Sequence, residues 1–148
     1  AGMKTWSDGF DHTMIRGGGN TFFFKDHAYN AELYSFHMNG KMLLRMAKER
    51  IPVFMSGFFD QLPISVADVD YIIPHQASRT GVEIFRKMYP FRDDQLLGNL
   101  ETHGNCISAS IPMTLYDFVK NGTLKPGMTC LLSGTSAGFS IGGILVRL

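Results

Sequence analysis

The run Asp70-Tyr71-Ile72-Ile73-Pro74-His75-Gln76-Ala77-Ser78 limits the fold of this chain more than any other stretch. Tyr71-Ile72-Ile73 shows no polar alternation, so a strand here must be covered on both faces, as in the buried parallel sheets of layered α/β proteins. Pro74 holds Ile73 extended. A helix is then predicted over 78–88, with Val82, Ile84, Phe85 and Met88 available for packing. His75 is left where the strand gives way to the helix. Chemistry in layered α/β folds collects at the carboxyl ends of strands, where rigid elements hold groups beside open loops. The nearby helix N-terminus favours a neutral imidazole, a form able to donate a hydrogen bond to an oxyanion. Taken alone, His75 fits equally well as a histidine that ends a strand and bonds a backbone carbonyl.

Other segments extend this pattern. Met42, Leu43, Met46, Ile51, Phe54, Met55 and Phe58 recur at helical spacing, with Pro52 predicting a kink or a fresh start and Pro63 a stop near Asp60. Residues 95–100 read as a weak strand. Ile107 to Lys120 reads as a helix that tolerates Pro112 in its early turns and ends at Asn121-Gly122. Two apolar strands follow the turn Lys125-Pro126-Gly127, over Met128–Ser133 and Phe139–Val146. The order is β-α-β-α-β-β, an α/β layered domain over 39–148. Residues 1–38 read as a loop-rich connection with turn signals at Ser7-Asp8-Gly9 and Gly17-Gly18-Gly19-Asn20, and a short strand over Thr21–Phe24.

Composition excludes several classes. The chain has 148 residues, 45% of them hydrophobic, enough for one domain with a substantial core. Its formal charge of +1, from 14 basic and 13 acidic residues, implies neither nucleic acid nor an anionic membrane as partner. No apolar run reaches the roughly 20 residues that cross a bilayer. The first residues lack the apolar stretch of a secretory signal, and the two cysteines show no Cys-x-x-Cys spacing, so a cytoplasmic protein without disulfides, metal or cofactor is expected. The opening Ala1, with Met3 soon after, suggests a piece of a longer protein.

A second polar group stands in Thr102-His103-Gly104-Asn105 before the small run Ser108-Ala109-Ser110. Asn105 reads either as a helix cap or as a carboxamide aimed, with His75, at a carbonyl oxygen on which charge develops. His103 reads as a buried histidine that braces the turn. The ordered set Asp70 to Ala77, His103-Gly104-Asn105, Lys125-Pro126-Gly127, Ser133-Gly134-Thr135-Ser136-Ala137-Gly138-Phe139 and Ile141 to Arg147 resembles the C-terminal half of the 3-oxoacyl-[acyl-carrier-protein] synthase III family, thiolase-fold condensing enzymes. The resemblance covers Phe36 to Leu148 well and the first third loosely, which makes residues 1–38 a remnant or connection from the N-terminal half.

The resemblance implies a Cys-His-Asn site for decarboxylative condensation of an acyl thioester, on coenzyme A or acyl carrier protein, with malonyl carried on acyl carrier protein. His75 and Asn105 match the histidine and asparagine that stabilise the enolate. Ala137 matches the backbone N–H donor of an oxyanion hole, and Arg79, Arg86 and Lys87 are candidates for carrier docking. The Ser136-Ala137-Gly138 loop is less glycine-rich than the family's, and Ser78 stands where Asn is frequent. The nucleophilic cysteine belongs to the N-terminal half. Neither Cys106, directly after Asn105, nor Cys130, in an apolar strand, matches it, so the chain alone is expected not to condense anything. A non-catalytic scaffold subunit, or an acyltransferase that does not decarboxylate, are the competing readings. The aromatic residues of 22–36 are expected to be covered by the missing half or by another copy of the chain in a homo-oligomer.

Overall fold

A computed structural model describes residues 1–148. The central element is a four-stranded sheet in the order β1-β6-β5-β4, from β1 (Gly2–Gly9), β4 (Tyr71–Pro74), β5 (Thr129–Ser136) and β6 (Gly138–Arg147). β4 and β5 run parallel, with Tyr71 opposite Cys130 and Pro74 opposite Ser133, while the β5–β6 and β1–β6 pairs are antiparallel. A small ribbon pairs β2 (Thr13–Met14) with β3 (His37–Met38).

Side-chain alternation in β4 and β5 sorts the interior into two cores. Ile72 and Leu131 face one side with Met55, Phe54, Phe58, Phe85 and Ile141, beneath α1 (Gly40–Phe59) and α2 (Arg79–Met88). Ile73 and Cys130 face the other with Leu97 and Leu124, beneath Ile111, Leu115 and Phe118 of α4 (Ser110–Lys120). A one-turn helix, α3 (Leu100–His103), lies between α2 and α4 in the chain. The strands that carry His75 and its neighbours are thus clamped from both faces, as the apolar Tyr71-Ile72-Ile73 run requires. No helix is long and apolar enough to cross a membrane.

Helix α1 begins where Asn39 Oδ1 accepts the Met42 N–H at 3.1 Å. It departs from expectation at Pro52, which neither ends nor restarts it. Pro52 leaves the Lys48 carbonyl without its usual helical donor. Ile51, Phe54, Met55, Phe58 and Phe59 all enter one core, and their shared burial holds the turns on either side of Pro52 in one register.

Three further expectations change. Residues 2–9, read as loop, form an edge strand on β6. Their polar side chains give no period-two signal; the strand is held by its ladder, by half-buried Trp6, and by Gly9, where a Cβ would lie 2.8 Å from Met46 Cε. Thr21–Phe24 forms turns rather than a strand. The weak strand at 95–100 contracts to one parallel bridge, Ile72 with Leu96, because the chain turns into α3 at Leu100. Helix α2 matches, with Ser78 Oγ accepting the Gly81 N–H at 3.0 Å.

Candidate active site

His75 is the first residue beyond β4. Its backbone N–H donates to Ser133 O at 2.7 Å, which carries the β4–β5 pairing one step past Pro74. The imidazole is half-buried, and desolvation lowers its pKa below the ordinary histidine value, so the neutral ring prevails at pH 7. Its neighbour Gly134 on β5 has no side chain; a Cβ there would stand 3.6 Å from His75 Cβ.

Asn105 arrives by a different route. Helix α3 closes with Gly104 N–H donating to Leu100 O at 2.9 Å, and Gly104 takes a φ of +69°, where a side chain is strained. The chain thereby reverses toward β4. Asn105 Oδ1 accepts the Ile107 N–H at 2.9 Å, and Nδ2 lies 3.4 Å from Ala77 O, two residues beyond His75. The expected helix over Ile107–Lys120 opens as a 3-10 turn, Ile107–Ala109, whose N-cap is Cys106, so Asn105 makes an Asx turn ahead of it rather than the expected cap. Binding Oδ1 to the backbone fixes the amide plane and leaves an Nδ2 proton for an outside acceptor. Asn105 is exposed.

Ala137 sits at the exposed tip of the β5–β6 hairpin, and its N–H has no acceptor within the chain. Arg79 pairs with Glu101 at 2.6 Å, and Arg86 Nη1 donates to Asp93 O at 2.7 Å. Lys87 is exposed on the last turn of α2 and makes no ion pair. His103 Nδ1 contacts Thr102 Oγ1 at 2.8 Å and lies 3.9 Å from Asp117 Oδ2, but the residue is exposed rather than the buried brace expected.

Neither thiol has the setting of a nucleophile. Cys130 is fully buried, and desolvation, helped by the Asp70 charge, raises its pKa to about 11. Cys106 Sγ is turned toward His103 O at 3.3 Å.

Gln76 was not singled out from the sequence. It is 1% exposed, and its carboxamide joins the turn after β4 to the start of α3 and to Thr114 on α4. The available signal was Ser110 and Thr114, small polar residues four apart on a helix whose neighbouring positions are apolar.

The family model described as 3-oxoacyl-[acyl-carrier-protein (ACP)] synthase III C terminal matches residues 59–148. The chain is 29% identical over 147 residues to a beta-ketoacyl-[acyl-carrier-protein] synthase III from Campylobacter curvus, covering 98% of this chain and 44% of that one. It is 35% identical over 121 residues to the synthase III of Oceanobacillus iheyensis, covering 78% and 39%. Among solved structures, a 3-oxoacyl-(acyl-carrier-protein) synthase III superposes with a TM-score of 0.88 at 22% identity, over 99% of this chain and 46% of that one. The enzyme from Pseudomonas aeruginosa PAO1 gives 0.79 at 21% identity, over 99% and 42%. The chain spans less than half the length of these relatives. The fold is the thiolase-like α/β fold of these enzymes, and the chain belongs to the 3-oxoacyl-[acyl-carrier-protein] synthase III family, matching its C-terminal part.

Proposed function

We propose that the chain supplies the histidine–asparagine half of a condensing site, with His75 and Asn105 as its catalytic residues. The observation that carries this reading is the Asn105 side chain held 3.4 Å from the backbone oxygen of Ala77, two residues along the chain from a half-buried, neutral His75. A malonyl thioester that loses carbon dioxide leaves its electron pair as an enolate on the thioester oxygen. One N–H from the neutral imidazole and one from Nδ2 of Asn105 would meet that charge. Donors of this kind, pre-placed and shielded from water, are each worth roughly 2.7–4 kcal/mol in the transition state. The carbanion then attacks an acyl group on the cysteine of the N-terminal half, the unpaired Ala137 N–H receives the tetrahedral oxyanion, and the thiolate departs.

The substrates in this reading are an acyl thioester on coenzyme A or acyl carrier protein and malonyl on acyl carrier protein, in the cytoplasm. Lys87 is the docking cation free to meet an acidic carrier. The Arg79–Glu101 pair lies on the surface, where exchange for a carrier carboxylate costs about 0–1 kcal/mol. Residues 39–148 serve as the C-terminal domain, whose sheet also takes in β1, and the rest of 1–38 as the connection from the N-terminal half. Phe24, Tyr29, Phe36 and Met38, all exposed, form the surface that the N-terminal half covers; without that half the chain associates with copies of itself.

The test is co-expression with a cysteine-bearing N-terminal half, followed by an assay of carbon dioxide release and product from an acyl thioester and malonyl carrier protein. His75→Ala and Asn105→Ala should each cut decarboxylation by about 10²–10³-fold. Full decarboxylation in both variants would overturn the assignment, and acyl transfer without carbon dioxide release would favour the acyltransferase reading.

A further inference from the structure

The side chain that directly follows His75 makes four hydrogen bonds. Gln76 Oε1 accepts the N–H groups of Asn99 at 2.9 Å and Leu100 at 2.8 Å. Its Nε2 donates to Thr114 Oγ1 at 2.8 Å and to Asn99 Oδ1 at 3.2 Å. Gln76 is 1% exposed and Thr114 fully buried, while Asn99 and Leu100 at the other end of these bonds are half-buried.

Two branches lead from this carboxamide to Asn105. The first runs through Asn99 and Leu100 into α3, whose closing bond from Gly104 to Leu100 delivers Asn105 and returns it to Ala77 O. The second runs through Thr114, whose hydroxyl proton is shared between Asn99 Oδ1 at 2.7 Å and Ser110 O at 2.8 Å; Ser110 Oγ then accepts the Cys106 N–H at 3.1 Å. Asn105 is thus held on its preceding and its following side by chains of bonds that begin at one residue. That residue directly follows His75.

We infer that Gln76 is a positioning residue that fixes the mutual placement of His75 and Asn105. It touches no substrate and acts through the two donors. The inference rests on the donor-pair reading above. A misplacement of about 1 Å in a catalytic group costs on the order of 10²-fold in rate. Gln76→Met keeps length and bulk but removes all four bonds.

The experiment uses the co-expressed assembly and malonyl carrier protein. Gln76→Met should lower kcat for decarboxylation by about 10- to 100-fold while KM stays within about twofold, because docking surfaces are untouched. In that background Asn105→Ala should cost less than about threefold, since the carboxamide is already displaced. Thr114→Val breaks the second branch and the Thr114–Asn99 bond but leaves the two bonds to Gln76 Oε1, so it should give an intermediate loss, and Thr114→Ser, which keeps the hydroxyl, should restore kcat. If Gln76→Met does not fold, the Thr114 pair decides the question. Wild-type kcat in Gln76→Met, an undiminished Asn105→Ala effect in that background, or equal losses in Thr114→Val and Thr114→Ser would each overturn the inference.

The failure of the donor-pair reading looks different. There, His75→Ala and Asn105→Ala in the otherwise unchanged protein would decarboxylate at full rate. The positioning claim would then be read from the Asn105 side-chain amide resonance of the chain: displacement in Gln76→Met upholds it, and an unmoved signal ends it.

Discussion

Gly98→Ala turns the Gln76 linkage into a stability measurement. Gly98 is exposed and its φ lies outside the left-handed region, so the backbone accepts alanine. A Cβ there would lie 2.7 Å from Gln76 Oε1 and 3.3 Å from its carboxamide carbon. A surface methyl with an extended tip beside it would cause no strain, because the tip would swing away. Gln76 has no such freedom, since moving Oε1 stretches its bonds from Asn99 and Leu100 together. Two neutral hydrogen bonds at about 1 kcal/mol each make the loss about 2 kcal/mol. The stiffer unfolded chain returns about 0.4–1 kcal/mol. The net destabilisation is about 1–1.5 kcal/mol, a fall of about 3–5 °C in Tm. Urea unfolding of the chain should show a lower midpoint at unchanged slope. The sign should reverse in a Gln76→Ala background, where the methyl enters vacated space and stabilises by about 0.4–1 kcal/mol. A variant as stable as wild type, or the same loss in both backgrounds, would refute the claim that Gln76 is held in place.

Burial lowers the His75 pKa, so between its folded value and the unfolded value near 6.5 the unfolded state binds more protons. The stabilising contribution is complete above about pH 6.5 and is lost as pH falls toward the folded pKa; urea midpoints across that window should show a slope that His75→Gln abolishes, and an NMR titration midpoint above 6.5 would contradict it. Cys130, with a pKa of about 11 and no exposure, should resist a disulfide reagent at pH 8 until the chain unfolds, leaving Cys106 as the thiol that reacts in the native state. Two fast-reacting thiols would show that β5 is open. Phe54→Ala should cost about 3–5 kcal/mol by calorimetry or urea, because Phe54 spans from the Phe58 ring, 5.9 Å between centroids, to Gly143 on β6. A loss under 1 kcal/mol would mean that the core refills around it.

Wherever a segment's periodicity was set by a two-sided core, its structure was legible in the sequence. Tyr71-Ile72-Ile73 and the 128–133 run have no polar face, and both are strands covered by helices on either side. β1 was missed for the opposite reason. An edge strand with most of its residues exposed carries no apolar alternation, and its place is set by a ladder to β6, more than a hundred residues away. The candidate donors were legible because His75 and Asn105 stand at element boundaries, where a polar residue interrupts a pattern. Gln76 was not, because a glutamine beside a turn looks like solvent-facing loop. Only the tertiary structure shows that it points inward to Asn99 and Thr114.

The position of that polar network has a physical reason. Deep in either core, packing from all sides fixes a side chain without any directed bond. Beyond the carboxyl end of β4 the chain leaves these cores, with His75 half-buried and Asn105 exposed, and apolar contact, being non-directional, would let the His75 turn and the α3 end slide along one another. Hydrogen bonds prefer donor angles above about 150°, so they can hold a direction where packing cannot. The bonds that place Asn105 beside Ala77 all arise within this chain, from Gln76, α3, Ser110 and Thr114. The placement of Asn105 near Ala77 therefore depends on no partner. If the proposed donor pair is right, association with a cysteine-bearing half would not have to order Asn105, and the binding energy that would otherwise go into ordering would remain available to hold the two halves together.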